Sequence, residues 1–252
     1  MTDLIQTETS EAVASIRMNR PDKRNALNIP MLEALCQAVD AAVADPAVRV
    51  IVLRGNGKVF CAGLDLAETT DPEQSHHSAQ LVVRMLEALY YAPKLTIAAV
   101  HGAAVAGGAG LMSACDLAVA TADTVFGYPE VRRGLVAGLV MTFIRRQLQE
   151  RHARELLLLG EIIEADRAQE IGLINRMVPT DMLDEQVALL VDLARKAGPD
   201  AIKETKAWLD QVWHHPVCDD LAGALDLHVR VRNGEEAAEG MRAFLEKRGP
   251  KW

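Results

Sequence analysis

Apolar and polar positions change period several times along the chain, and each change predicts an element. Leu4–Thr7 and Ala12–Met18 are short strand-like runs separated by polar Glu8–Glu11, which predicts a hairpin. Arg20-Pro21-Asp22-Lys23-Arg24-Asn25 is a polar turn. Between Pro30 and Ala44 the apolar residues Met31, Leu35, Ala38, Val39 and Ala42 recur at helical spacing, and Asp45-Pro46 ends the helix. Val48–Leu53 reads as a β-branched strand and Arg54–Lys58 as a loop. Ser75–Tyr91 is an amphipathic helix stopped by Ala92-Pro93. Leu95–Val100 is a strand, His101–Gly108 a loop of small residues, Gly110–Cys115 a helix and Asp116–Thr121 another strand. The recurring order predicts α/β crossover units with a largely parallel sheet. Beyond Val140 the pattern turns helical over 141–159, 164–171 and from Asp181 onward, with Leu173–Val178 a last strand. The shift divides the chain into a core over 1–190 and a helical tail over 191–252. The tail's Trp208, Trp213, Leu221, Leu225 and Phe244 predict packing on the core, on a sister subunit, or on both.

Composition narrows the function classes. Half of the 252 residues are apolar and a quarter charged, the balance of a soluble globular protein. A net charge of -8 disfavours general nucleic-acid or anionic-membrane binding, so an anionic ligand needs a local basic cluster. Leu95–Cys115 carries no formal charge and is as long as a bilayer crossing. His101 and the glycines at 102, 107, 108 and 110 instead predict a strand, a turn and a buried helix, and no membrane span. Cys36, Cys61, Cys115 and Cys218 form no C-x-x-C pair, which argues against a metal site. His76-His77 and His214-His215 are adjacent pairs and read as surface residues. The start MTDLIQTETS lacks a basic region and an apolar region, so a cytoplasmic protein with free thiols is expected.

Two segments place a tight turn after a buried strand: Phe60-Cys61-Ala62-Gly63-Leu64-Asp65-Leu66 and His101–Gly110, which contains Gly107-Gly108. Small residues let a ligand approach the backbone, and a helix starting beyond each turn would aim unbonded N–H groups outward. Two such groups converging on one point make an oxyanion hole. The same glycines also serve close helix–sheet packing, and both readings stay open here. Gly108-Ala109-Gly110-Leu111-Met112-Ser113 half-matches a dinucleotide fingerprint with Glu130 20 residues beyond Gly110, but its third glycine is missing. Cys61, beside the first turn, is a small buried spacer or a nucleophile without a nearby histidine.

Taken in order, Arg20-Pro21…Asn25-Ala26-Leu27, Phe60–Leu66, His101-Gly102…Gly107-Gly108, Phe126-Gly127-Tyr128-Pro129-Glu130 and Glu239-Gly240-Met241…Phe244-Leu245-Glu246-Lys247-Arg248 resemble the crotonase (enoyl-CoA hydratase/isomerase) superfamily. The resemblance implies an α/β fold, a spiral of ββα units with a helical C-terminal trimerisation region. It implies an acyl-CoA substrate, no cofactor beyond the coenzyme A of that substrate, and a homo-oligomer, trimer or dimer of trimers. Carried over by position, the thioester oxygen is held by the N–H groups of Ala62 and Gly107. Lys23, Arg24, Ala26, Cys61, Asp65, Leu66, Gly108, Phe244 and Lys247 are implied to contact substrate or CoA. Hydratases of the family resemble one another in using two glutamates; here one is Glu130 and the other falls on Gly110, which has no side chain. The lone carboxylate resembles the arrangement of enoyl-CoA isomerases, in which one glutamate shuttles a proton between two carbons. A hydratase that holds water with Glu130 alone is the alternative. A catalytically silent acyl-CoA-binding or interaction protein is the alternative of another class. The segment Gly134–Thr142 is bulkier than the Gly-rich loop of many members, a departure that bears on the shape of the acyl pocket and on any water site.

Overall fold

A computed structural model describes residues 3–66, 72–213 and 215–251. Its first elements are the hairpin β1 (Ile5–Ser10) and β2 (Val13–Met18), paired antiparallel from Ile5–Met18 to Ser10–Val13. The hairpin is longer than the polar run Glu8–Glu11 suggested, because the ladder continues through those residues to a turn. Glu11 and Ala12 carry φ of 49° and 65°, the two-residue left-handed turn that matches strand twist. Helix α1 (Ile29–Ala44) follows, with the Asn28 side chain accepting from the Met31 N–H at 3.1 Å and Pro30 in its first turn. Then come β3 (Val50–Gly55), α2 (Pro72–Tyr90) and β4 (Leu95–Val100).

The uncharged stretch from Leu95 divides between β4, a short strand β5 (Ala103–Val105) and α3 (Gly107–Ala114). Among the described residues no helix is long and apolar enough to cross a membrane. The expected loop at 101–108 contains β5 because its backbone finds partners: Ala104 bridges Cys61, and Ala103–Val105 pairs with Val125–Gly127. Strands β6 (Leu117–Thr121) and β7 (Val125–Gly127) lead to a 3-10 turn at Pro129–Arg133. The expected helix over 141–159 is two, α4 (Gly138–Gln147) and α5 (Glu150–Leu159). Strand β8 (Ile162–Glu164), α6 (Ala165–Glu170), β9 (Arg176–Val178), α7 (Leu183–Arg195), α8 (Pro199–Gln211), α9 (Val217–Arg232) and α10 (Glu235–Leu245) complete the chain.

The larger sheet has the order β1-β2-β3-β4-β6-β9 and is parallel from β2 onward. Its inner strands are buried on both faces, as a parallel sheet covered by helices requires. Ile51, Leu53, Ala98 and Val100 face α1, α2 and α3, through Leu35, Met85 and Leu111 among others. Val50, Val52, Ile97 and Ala99 face Val187, Leu190, Val191 and Ala194 of α7. A smaller sheet, β5-β7-β8, carries the turn at Pro129–Arg133 at its end.

Polar ties fasten the helical tail to this body. Asp116 accepts from the Thr96 N–H at 2.8 Å and pairs with Lys206 of α8 at 2.7 Å. Asp210 accepts from Tyr90 and Tyr91 at 3.2 Å each and from Arg146 at 3.1 Å. Val217, Leu221 and Ala237 are fully buried, whereas Trp208, Leu209 and Trp213 stay exposed. The tail therefore packs on the core and still presents apolar surface.

Candidate active site

Four segments bring the candidate polar groups to a cavity of about 580 Å³. The first is the polar turn after β2, organised by buried Asn25. Its Oδ1 accepts from the Arg20 N–H at 2.9 Å, and its Nδ2 donates to the carbonyls of Asn56 and Val59 at 2.9 Å and Phe60 at 3.1 Å. Arg20 donates to the Asp65 carboxylate at 2.7 Å and to the Ala26 carbonyl at 3.1 Å. These bonds fix Lys23, Arg24 and Ala26 in the cavity wall. Asp65 and Leu66 also line it, with the Asp65 carboxylate engaged by Arg20.

In the second segment two expected site residues, Cys61 and Ala62, take other roles. Cys61 is fully buried, donates its thiol proton to the Asn25 carbonyl at 3.1 Å, and has no place in the cavity wall. Burial pushes that thiol up to about 12, so it is neither nucleophile nor substrate contact. Ala62 lines the cavity, but its N–H already donates to the Arg24 carbonyl at 3.1 Å and is not free for an oxyanion. The chain then turns at Gly63, whose φ of +95° disfavours any side chain. Leu27 binds both peptides flanking Leu64: its N–H donates to Gly63 O and its carbonyl accepts from Asp65 N, each at 2.8 Å. The Leu64 amide consequently faces away from Leu27, and its N–H has no acceptor among the described residues. A Cβ on Gly107 would lie 3.7 Å from the Leu64 nitrogen, and one on Gly63 would lie 3.3 Å from the Gly107 nitrogen.

Gly107 opens α3, the third segment. Ala106 before it holds φ 51° and ψ -123°, a backbone state that typically costs about 1–3 kcal/mol. Its N–H bond to Gly127 O at 2.8 Å keeps the strained residue in place. No side chain caps α3, so the Gly107 N–H points out with the positive end of the helix behind it. Leu64 and Gly107 are thus the converging donor pair. Gly108 is buried off the cavity, and its Cβ would stand 2.3 Å from the Cys61 carbonyl; close packing, not substrate contact, requires glycine there. The half-matched fingerprint Gly108–Ser113 lies inside this buried helix.

Fourth comes the 3-10 turn Pro129–Arg133. Glu130 lines the cavity, and its Oε2 is buried without a hydrogen-bond partner among the described residues. Burial drives its pKa from 4.5 up to about 7, with its own backbone amide and the Arg133 charge pulling part of the way back. Arg133, one 3-10 turn on and therefore on the same side, stands 4.3 Å over the Phe244 ring. Gly110 sits behind the wall: a Cβ there would meet Val140 at 3.3 Å, and Val140 itself lines the cavity with Leu135, Val136 and Leu139. Phe244 reaches the wall, whereas Lys247 is exposed and outside it. Arg248 is occupied by Glu239 at 2.7 and 3.1 Å. Of the paired histidines, His76 and His77 are exposed and His214 lies outside the described residues.

Two wall residues, His228 and Arg232 of α9, escape a motif search. Their signal was in the periodicity. Leu221, Ala224, Leu225, His228 and Arg232 share one helical face, and its last two members are polar at positions that begin apolar. Burial, and secondarily Arg232, lowers the His228 pKa to about 4, so the imidazole is neutral near pH 7.

Two amide donors, one buried carboxyl with a raised pKa and an apolar wall suit a carbonyl compound whose α-proton is removed and whose enolate oxygen is stabilised. Residues 8–252 match the family model described as enoyl-CoA hydratase/isomerase. A Thermus thermophilus protein named "Putative enoyl-CoA hydratase" is 40% identical over 99% of this chain and 100% of its own length. The 2,3-dehydroadipyl-CoA hydratase of Escherichia coli is 32% identical over 99% of this chain and 98% of its own. An enoyl-CoA hydratase structure from Mycobacterium avium superimposes with a TM-score of 0.89 at 33% identity, covering 100% of both chains.

Proposed function

The chain belongs to the enoyl-CoA hydratase/isomerase family, and we propose that it moves the double bond of an enoyl-CoA with Glu130 as the single proton carrier. The observation that carries this reading is the buried Glu130 carboxyl, its Oε2 without a hydrogen-bond partner among the described residues, in one cavity with the Leu64 and Gly107 amides and without a side chain at 110. In a 3-enoyl thioester, the ionised Glu130 takes a proton from C2. The electron pair moves onto the thioester oxygen, which the two N–H groups hold. The dienolate collapses by taking the same proton back at C4, leaving a 2-enoyl thioester. A pKa of about 7 makes one residue competent at both steps, since it is neither too weak a base nor too weak an acid near neutrality. No water takes part, in keeping with the apolar Val140 that fills the room beside Gly110.

Hydration is the second reading, favoured by the relatives' names, which mostly say hydratase. Here Glu130 would hold water against C3 of a 2-enoyl-CoA and return a proton to C2. The CoA moiety would lie along Lys23, Arg24 and Ala26, with Phe244 at its edge. The exposed apolar residues of α5, α7 and α8, among them Leu158, Leu193 and Trp208, support a homo-oligomer, trimer or dimer of trimers. The deciding experiment offers 3-enoyl-CoA and 2-enoyl-CoA separately and follows the conjugated chromophore. Faster appearance of the conjugated product from 3-enoyl-CoA supports isomerisation. Faster loss of 2-enoyl-CoA to a 3-hydroxyacyl product replaces it with hydration.

A further inference from the structure

The proposed base shares its 3-10 turn with a cation. Side chains three apart in such a turn stand one above the other, so Glu130 and Arg133 project to the same side, and both line the cavity. No ion pair within 4.0 Å joins them among the described residues, and the Glu130 Oε2 is buried without a hydrogen-bond partner there. Arg133 stands instead 4.3 Å over the Phe244 ring. The guanidinium is therefore held beside the base without clamping it. Close backbone packing fixes the ring relative to the turn. A Cβ on Gly240 of α10 would lie 2.3 Å from the Arg133 carbonyl oxygen, and one on Gly134 would lie 2.4 Å from that of Glu236.

The other charged groups are placed where they act less on Glu130. Burial disfavours its carboxylate, and among side-chain charges of the described residues Arg133 is the one that favours it. Asp22, Lys23 and Arg24 line the cavity from the turn after β2, and Asp65 is engaged by Arg20. Helix α9 brings Arg232 and His228, whose imidazole is neutral near pH 7. On α10, Glu236 and Arg242 are exposed and Glu239 is bound by Arg248 at 2.7 Å. Helix α5 meets the turn through the Leu159 carbonyl, which accepts from Arg132 at 2.9 Å, and its Glu150, Arg151, Arg154 and Glu155 are exposed. Glu161 and Glu164 at β8 are exposed as well. Tyr128, just before the turn, is fully buried, and burial pushes its phenol far above the ordinary range, so it is neutral.

We propose that Arg133 is a positioning residue for the proton carrier: braced on Phe244 and kept off the carboxyl, its guanidinium favours the ionised form of Glu130 without occupying the oxygens that take the proton. This rests on the reading of the cavity as an enoyl-CoA site with Glu130 as base. A buried carboxyl with no cation beside it stays protonated near neutrality and cannot accept the C2 proton. A carboxylate in a direct, bidentate arginine pair has its lone pairs filled and is a weak base. A guanidinium stacked on a ring next to the carboxyl avoids both outcomes. Arginine suits the place because it stacks on an aromatic face and keeps its charge when buried.

The test is the pH profile of kcat/KM on the better of the 3-enoyl-CoA and 2-enoyl-CoA esters, which reports ionisation of the free enzyme. The wild type should reach its plateau through an inflection at about 7. Arg133→Met keeps an apolar stem and removes the charge. Its inflection should move up by about one pH unit, so kcat/KM falls about fivefold near neutrality and the deficit closes on the alkaline side. Arg133→Lys should stay nearer to the wild type. Phe244→Leu keeps the charge and frees it to close on the carboxylate, so its inflection should move the other way. A structural role for Arg133 lowers the rate by one factor at every pH, and an inflection that Arg133→Met leaves in place or lowers overturns the proposal. A rise in KM alone assigns the guanidinium to CoA and also overturns it. An inflection that stays or rises in Phe244→Leu overturns the brace. Arg133→Gln is the second variant should Arg133→Met fail to fold by its melting curve. Infrared titration gives a readout without turnover: the protonated-carboxyl band absent from Glu130→Gln identifies Glu130, and its midpoint should rise in Arg133→Met. An unmoved midpoint refutes the proposal whether or not any ester reacts. Failure of the enzyme reading is distinct: no ester reacts, and none exchanges its C2 proton with deuterated water.

Discussion

One wall of the cavity is made of backbone and the other of side chains, and the two carry different kinds of information. At Leu64 and Gly107 the active groups are peptide N–H groups, aimed by the Gly63 turn, the Leu27 bridge and the strained Ala106. Many side chains at Leu64 would leave that wall unchanged. Around Glu130, Arg133, Val140, His228 and Arg232 the active groups are the side chains themselves. The backbone wall fixes what any thioester of this family needs, a place for negative charge on oxygen. The side-chain wall decides which proton moves, whether water has room, and which acyl group fits. Substitutions should therefore separate into those that abolish enolate chemistry and those that redirect it.

The largest effect is expected on the side-chain wall. Glu130→Gln keeps shape and loses proton transfer, which should lower turnover about 10²–10⁴-fold on the best substrate. A variant at wild-type turnover would remove Glu130 from the mechanism. The counterpart on the backbone wall is an amide-to-ester replacement at Leu64, introduced as the α-hydroxy acid, which deletes one donor and no side chain. It should cost about 10²–10³-fold in kcat. The same replacement at Ala62 deletes only the bond to the Arg24 carbonyl, so it should cost about 0.5–1.5 kcal/mol of stability instead of two decades of rate. If the Ala62 ester loses the rate and the Leu64 ester keeps it, the two residues exchange roles.

Next in size is the pH dependence. The base form of Glu130 is the carboxylate, so kcat/KM for a 3-enoyl-CoA should rise with pH until about 7 and then level. Below that pH it should fall about tenfold per unit. Stability should run the other way. A folded-state pKa of about 7 against an ordinary 4.5 means the folded protein binds this proton more tightly. The resulting stabilisation is fully present below pH 4.5 and is lost as pH rises through about 7. Glu130→Gln, neutral at every pH, should gain in melting temperature relative to wild type between pH 5 and 8. A constant difference would place the Glu130 carboxyl in water.

The same division explains what could be read from the sequence. The parallel sheet, its covering helices and the helical tail followed from periodicity, because strands buried on both faces and amphipathic helices write themselves into apolar spacing. The motif segments brought Lys23, Arg24, Ala26, Asp65, Leu66, Gly107, Glu130 and Phe244 to one cavity. What a motif does not encode is the direction of each peptide, and for that reason Ala62 stood where Leu64 belongs. The choice needs the Leu27 bridge, a contact 37 residues away in sequence. Cys61 and Gly108 also looked functional from their neighbourhood, but they touch each other, and the small sizes answer that contact. His228 and Arg232 lie in no motif, and only the fold tells that their helix face meets a cavity.

The smallest effect tests whether the missing carboxylate alone separates the two reaction types. Gly110→Glu would supply a second acid, but its Cβ would meet the Val140 methyls at 3.3 and 3.4 Å and Leu86 at 3.8 Å. Those contacts are tight and involve branched or packed apolar side chains, so the single variant should lose about 1–3 kcal/mol of stability through overpacking. It should also bury its carboxyl against Val140, short of any substrate. Adding Val140→Ala removes the obstructing methyls from the wall and opens a path from position 110 to the cavity. The double variant should recover part of the lost melting temperature and hydrate 2-enoyl-CoA severalfold faster than the single one, while 3-enoyl isomerisation slows as water enters. The gain stays small because the new carboxylate is held by no partner and must share its water with Glu130. If the folded double variant hydrates no faster than Val140→Ala alone, position 110 does not set the reaction, and the proton chemistry belongs to Glu130 and the two amides by themselves.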